Sequence, residues 1–148
     1  MVEERDDKFM ERFADVLARS GWPRMSARIF AALMATPSGA RTASELSALL
    51  GVGPSAISNG AKMLRTLSLV DVTRQSDRQI VYEVRPDAWM AAVASRDSEL
   101  RALEGILTDG ANATTDSRAI ARLGETADFF AFLRAELPKL VERWRNTR

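Results

Sequence analysis

Four polar side chains near the middle of the chain have the types and spacing needed to hydrogen-bond with a nucleic acid. They follow Pro54 at helical intervals and so share one face of a predicted helix: Ser55, Ser58, Asn59 and Lys62. Asparagine can pair with the edge of adenine, serine can bond to a base or a phosphate, and lysine attracts phosphate. The same pattern is common on solvated amphipathic helices, so the surrounding elements must decide between the two interpretations.

The element that precedes this face is a second short helix joined by a tight turn. Thr42 and Glu45 have the spacing of a capping box, which predicts a helix start at Thr42. The residues from Gly51 to Gly53 form a glycine-containing turn, and Pro54 suits the first position of the next helix. Two short helices joined in this way are typical of a helix-turn-helix.

Two predicted strands follow, at residues 70–73 and 79–84, and residues 74–78 form a charged tip between them. A hairpin in this position is a wing. Arg78 has the chemistry to enter a minor groove, and Asp77 is expected to orient its guanidinium. Alternatively, the charges only keep a sheet edge soluble. Further candidates for phosphate contacts are Arg41, Ser44 and Arg74.

The remaining segments are predicted to be helical. Residues 3–19 form a first helix that ends at Gly21, and Pro23 opens a second. Asp87 is expected to cap a long helix that runs through Leu107 and is broken by residues 109–115. Residues 116–145 form one helix or two, because Pro138 should kink or split it.

The fold class that follows is mainly α with a small β-hairpin wing, in a single domain of residues 1–148. Residues 22–86 are the winged helix-turn-helix part, and residues 1–20 and 87–148 are helical dimerisation parts. We expect an apolar stripe to lie partly in the core and partly in the two-fold interface of a homodimer. Its residues are Phe9, Phe13, Phe129, Leu133, Leu137, Leu140 and Trp144. Such a dimer would suit a pseudo-palindromic operator in double-stranded DNA.

Three aromatic residues allow two interpretations. Trp22, Phe30 and Trp89 could line a pocket for a small-molecule effector, or they could simply pack in the core.

Composition excludes several classes of function. The chain has no cysteine and no histidine, which removes thiol chemistry, imidazole bases and zinc fingers, and no acidic loop has calcium-binding spacing. No cofactor, metal or catalytic group is therefore predicted, and the protein is not expected to be an enzyme. The apolar runs are too short to span a membrane, and the acidic N-terminus is not a secretory signal, so a cytoplasmic location is expected.

The order of elements resembles the MarR family of bacterial transcriptional regulators, with a closer similarity to its GbsR-like branch. The resemblance is carried by residues 21–30, 42–45 and 50–58, by Asp77 and Arg78, by Tyr82-Glu83 and by Asp87-x-Trp89. It implies a dimeric transcription factor, often a repressor and sometimes released by a small molecule. It also implies groove contacts from the face at Ser55 to Lys62 and a wing contact from Arg78. Members often have arginine where this chain has Asn59, so no base preference carries over.

Two functions remain open on the sequence. The first is a homodimeric, sequence-specific DNA-binding regulator, a repressor. The alternative is a winged-helix module for protein interaction that does not bind DNA. The charge favours the alternative, because the net charge is only +1 and residues 41–85 carry six basic and four acidic side chains.

Overall fold

The computed structural model describes residues 4–148, with side chains described from Asp7 onward. The predicted helix start at Glu3 lies outside these residues. The elements are α1 (Glu4–Arg19), α2 (Arg24–Ala35), β1 (Ala40–Thr42), α3 (Ala43–Leu50), α4 (Pro54–Thr66), β2 (Val70–Arg74), β3 (Ile80–Val84), α5 (Ala88–Ala94), α6 (Asp97–Ala113) and α7 (Ser117–Asn146). The mainly helical fold with a small antiparallel sheet confirms the predicted fold class.

The chain forms two compact units, Met1–Ala88 and Trp89–Arg148, and each is described by itself. The division lies close to the predicted start of the C-terminal helices at residue 87. In the first unit α1 packs against α2, where the rings of Phe13 and Phe30 lie 6.1 Å apart.

Helix α2 supplies the centre of the first unit's core. Its apolar side chains recur at helical spacing, and Ile29, Phe30 and Leu33 are completely buried. Helices α3 and α4 each direct apolar side chains into the same core, including Leu46 and Ile57. The two helices of the predicted helix-turn-helix are thus held by a shared apolar layer that α2 completes.

The sheet has the strand order β1-β3-β2, with both pairs antiparallel. The hairpin was predicted correctly, although β2 continues to Arg74, which pairs with Ile80. Strand β1 was not predicted. It is three residues long, too short to show alternation, and it is defined by its pairing with β3, in which Arg41 faces Tyr82.

Two predictions about the C-terminal helices are corrected. The single long helix expected after Asp87 is two helices, α5 and α6, and the Asp87 carboxylate accepts from Arg85 Nε at 3.3 Å. Helix α6 also continues through most of the predicted break, to Ala113.

Helix α7 is one continuous helix of 30 residues that contains Pro138, so of the two predicted alternatives, one helix or two, the structure has one. Its start is fixed by Asp116, whose carboxylate accepts from the backbone N–H groups of Arg118 and Ala119 at 2.9 and 3.1 Å. Helix α7 packs along α6, where Arg134 Nη2 lies 2.8 Å from Glu104 Oε2. This packing keeps the helix together across the missing N–H of Pro138. None of the helices in residues 4–148 combines the length and apolarity needed to cross a bilayer.

Candidate nucleic-acid interface

The turn between α3 and α4 is fixed by local hydrogen bonds. The predicted capping box is present, because Thr42 Oγ1 accepts from Glu45 N–H at 3.0 Å and Glu45 Oε1 accepts from Thr42 N–H at 2.9 Å. Helix α3 is capped at its C-terminus by Gly51, whose φ of +67° is left-handed and suits glycine. Pro54 then occupies the first turn of α4.

A residue that sequence reasoning missed braces the same turn from α2. Arg28 Nη2 donates to the carbonyl oxygen of Leu50 at 2.9 Å. Leu50 is the last residue of α3, where carbonyl groups lack helical partners and a cation is favourable. No spacing rule could have found this contact, because the two residues are 22 positions apart.

The four residues predicted to contact the groove all lie on the exposed side of α4. Ile57, Gly60, Ala61 and Leu64 form its buried side. The exposed side carries Ser55, Ser58, Asn59 and Lys62. The structure therefore brings the predicted residues together.

Arg65 extends the exposed face of α4 by one turn. It is exposed and follows Lys62 at i+3, a spacing that was available in the sequence but not used. Its charge acts on Tyr82 of β3. Burial raises the pKa of the Tyr82 phenol above its ordinary value, and the nearby Arg65 charge partly offsets that rise. The cationic end of α4 thus lies close to the sheet that carries the wing.

The three predicted phosphate contacts differ in their surroundings. Ser44, in the first turn of α3, and Arg74, at the end of β2, are both exposed. Arg41 has only 21% of its side chain exposed. Its Nε donates to Thr36 Oγ1 at 2.7 Å, and its Nη1 lies 3.7 Å from Glu45. Arg41 thus stabilises the junction of β1 and α3, which leaves it a weaker phosphate candidate than the other two.

The wing ends in a three-residue loop, Ser76 to Arg78. Gln75 N–H donates to the Gln79 carbonyl at 2.8 Å, and Arg78 N–H donates to the Gln75 carbonyl at 2.9 Å. Arg78 closes the loop with φ of +68°, a left-handed conformation that glycine normally takes in hairpins of this length. The Arg78 side chain is exposed at the tip.

Asp77 supports the tip differently from the prediction. Its Oδ1 accepts from the backbone N–H of Gln79 at 3.1 Å, which closes an Asx-type turn. Among the described residues it forms no ion pair with Arg78. Asp77 therefore stabilises the backbone on which Arg78 is mounted, and the predicted orientation of the guanidinium is not observed.

The three aromatic residues proposed for a pocket belong to different units: Trp22 and Phe30 to the first and Trp89 to the second. In the first unit Phe30 is completely buried, and its ring lies 5.7 Å from that of Trp22, as in core packing. Trp89 begins the second unit and is 48% exposed.

A cavity of about 330 Å³ lies within the second unit, and none of those three residues lines it. Its lining is largely apolar and includes Leu100, Leu137 and Val141. The charged residues of the lining are two acidic and two basic ones: Asp97, Glu142, Arg134 and Arg145. In the described part of the chain no cluster of acidic side chains could hold a metal ion.

The residues of the predicted dimer stripe are only partly exposed. Phe9 on α1 and three residues of α7, namely Phe129, Leu140 and Trp144, are exposed. The other three, Phe13, Leu133 and Leu137, are half-buried. The most exposed large apolar side chains were missed: Ile106 on α6 at 69% and Phe132 on α7 at 63%. Neither side chain lies on the core-facing side of its helix, so the periodicity of core residues in the sequence does not identify them.

Comparisons with known proteins give a family model and solved structures that are similar to this chain. Residues 87–147 match the family model for MmpR5-like MarR family transcriptional regulators. No curated protein matches the chain significantly. A solved structure described as a transcriptional regulator is 21% identical, covers 96% of this chain and 99% of its own, and has a TM-score of 0.85. The transcriptional regulator BldR from Sulfolobus solfataricus is 17% identical over 82% of this chain and 94% of its own, with a TM-score of 0.37.

The family model covers the C-terminal helices and not the helix-turn-helix. The motifs that suggested a MarR resemblance lie before these helices, for the most part, so the model supports that resemblance from another part of the chain. The GbsR-like branch stays a prediction. The first of the two solved structures shares the fold of this chain over 96% of its length, consistent with a winged helix-turn-helix.

Proposed function

We propose that this protein is a sequence-specific DNA-binding transcriptional regulator of the MarR type, that it acts as a homodimer and that it represses transcription. The observation that carries the proposal is the exposed face of α4 from Ser55 to Lys62. This helix follows a turn braced by Arg28 and precedes a wing with an arginine tip. A regulator of this kind binds DNA without catalysing a reaction.

The chemistry of the face suits a major groove. The serines and Asn59 lie in the first two turns of α4, where a recognition helix reaches base edges. Lys62 and Arg65 lie further along, where they suit phosphates. The positive end of the helix dipole at Pro54 adds attraction for the DNA backbone.

The experiment that tests the proposal is selection of bound sequences from a random duplex library. Recovery of an inverted repeat would support DNA recognition and two-fold symmetry together. A variant with Asn59→Ala and Lys62→Ala is the matched control, because both side chains are exposed and their loss should spare the fold. If no sequence is enriched and the protein is not retained on heparin at low salt, the function as a protein-interaction module is favoured.

The dimer is proposed from apolar side chains that each unit leaves exposed. Such side chains lie on α1 in the first unit and on α6 and α7 in the second, and they include Phe9, Ile106, Phe132 and Leu140. A monomer rarely exposes so many large apolar groups on neighbouring helices such as α6 and α7. A second copy related by two-fold symmetry would cover the same groups on both chains.

Release by a small-molecule effector is proposed to act through the cavity of the second unit, in place of the Trp22, Phe30 and Trp89 cluster. The cavity has a volume typical of small-ligand sites and a largely apolar lining in which two arginines are balanced by Asp97 and Glu142, which suits a small apolar ligand. The dye 1-anilinonaphthalene-8-sulfonate is a fluorescent probe of apolar cavities. We expect its fluorescence to rise with the protein and to fall for Val141→Phe, which fills the cavity. An equal rise with the variant would contradict this location.

A further inference from the structure

A buried hydrogen bond connects the centre of the core to the back of α4. Ser26 on α2 is only 2% exposed, and its Oγ donates to the carbonyl oxygen of Gly60 at 2.7 Å. A buried hydroxyl is costly unless it is bonded, so this contact fixes where the two helices meet.

The same contact point leaves no room for a side chain at residue 60. A Cβ atom built on Gly60 would lie 2.7 Å from Met25 Cγ and 2.8 Å from Ile29 Cδ1, well inside van der Waals contact. Ile29 is completely buried and cannot simply turn away. Glycine is a poor helix former, so its presence in the interior of α4 has a packing reason.

The exposed face of α4 lies directly across the helix from this point. Asn59 is the neighbour of Gly60 in sequence and is exposed, as is Ser58. Because an α-helix moves as a rigid element, any shift at Gly60 is transmitted to these side chains.

We propose that Ser26 and Gly60 are positioning residues that set the height and rotation of α4 for reading base edges. The inference rests on the proposed function, because it assigns the contact a role in DNA specificity. Hydrogen bonds to bases weaken steeply with distance and angle. Attraction between lysine or arginine and phosphate tolerates displacement much better. A displaced α4 should therefore lose sequence preference while keeping general affinity for DNA.

The test uses the full-length protein and the sequence recovered by library selection. Gly60→Ala should lower the ratio of affinities for that sequence and for random duplex by about tenfold or more, as expected for a lost base contact. Affinity for random duplex should stay within about twofold, because phosphate attraction carries it. Ser26→Ala should act in the same direction more weakly, because it removes the bond without adding bulk.

Leu17→Ala is the control for simple destabilisation, because Leu17 is buried on α1, which packs against α2. It should lower the melting temperature and leave the affinity ratio unchanged at a temperature where all variants are folded. Unchanged ratios for Gly60→Ala and Ser26→Ala would overturn the proposal, and so would an equal loss of ratio for Leu17→Ala.

A second measurement on the DNA-free protein separates this proposal from the proposed function. Residual dipolar couplings report the orientation of α4 relative to α2, and we expect Gly60→Ala to change it and Leu17→Ala to preserve it. If the wild-type protein binds no duplex DNA, the proposed function fails, and with it the role in specificity. If α4 keeps its orientation in Gly60→Ala, the positioning role fails even though DNA recognition stands.

Discussion

At the scale of single residues, the DNA contacts proposed for the exposed face of α4 are of two kinds. Lys62→Ala should weaken binding to every duplex and lower the slope of affinity against salt by about one, because one phosphate contact is lost. Asn59→Ala should relax preference at one base position and cost about 1–3 kcal/mol there. Titrations at several salt concentrations against matched and mismatched duplexes measure both effects. If both variants keep wild-type affinity and preference, α4 is not the recognition helix.

Arg78 combines a side chain proposed to contact DNA with a strained backbone. Its left-handed φ of +68° costs a non-glycine residue roughly 1–2 kcal/mol. Arg78→Gly should therefore increase the free energy of unfolding relative to Arg78→Ala, which keeps the strain. Both variants should weaken binding, most for operators with A·T-rich flanks, because both remove the guanidinium from a narrow minor groove. Chemical denaturation tests the stability difference, and DNA titration tests the loss of affinity. An Arg78→Gly variant that is less stable than Arg78→Ala would contradict the predicted strain.

Asp77 allows charge to be separated from geometry at the same tip. Asp77→Ala removes the acceptor for Gln79 N–H and should weaken DNA binding by loosening the loop. Asp77→Asn keeps an acceptor oxygen and removes the charge, so it should bind DNA at least as tightly as the wild type. Equilibrium titration at fixed salt distinguishes the two variants. Tighter binding by Asp77→Ala would show that only the charge matters.

At the scale of elements, the start of α3 should make stability depend on pH. The bond from Thr42 N–H, then the Thr42 hydroxyl and the charge of Arg41, hold the pKa of the Glu45 carboxyl below its ordinary value. Because the folded pKa lies below the unfolded one, this stabilisation is complete above the unfolded value. It is lost as the pH falls through the folded value.

Glu45→Gln should therefore be less stable than the wild type at pH 7, and the difference should shrink below about pH 4. Thr42→Ala should cost about 1 kcal/mol at pH 7, whereas Thr42→Ser keeps the cap and should cost much less. Urea denaturation across pH measures all three. A constant difference between Glu45→Gln and the wild type down to pH 3 would show that the carboxylate charge contributes nothing.

At the scale of the whole molecule, dimerisation and DNA binding should be coupled. Leu140 is 52% exposed on α7, so Leu140→Glu should leave the monomer folded and weaken the dimer. Operator affinity should fall with it, because one half-site offers too few contacts. Sedimentation at micromolar concentration, with operator titration, measures both. A wild-type protein that sediments only as a monomer would reject the dimer.

Local interactions explain how much could be predicted from the sequence. The capping box at Thr42, the left-handed Gly51 and Pro54 all act within one or two turns, so the helix-turn-helix was predicted with nearly correct boundaries. The exposed face of α4 followed from periodicity alone. The alternating residues of the hairpin likewise predicted the wing.

Tertiary contacts decided the rest. Strand β1 exists through its pairing with β3, the close approach of Ser26 and Gly60 joins positions 34 apart, and Arg41 is held by Thr36 and Glu45. Helix α7 stays whole at Pro138, where packing along α6 outweighs the local cost of proline. The sequence by itself determined which segments form helices and which face of α4 is polar, because these depend on neighbours a few residues away. Only the tertiary structure decided how that face is held, because long-range contacts have no signature in local spacing.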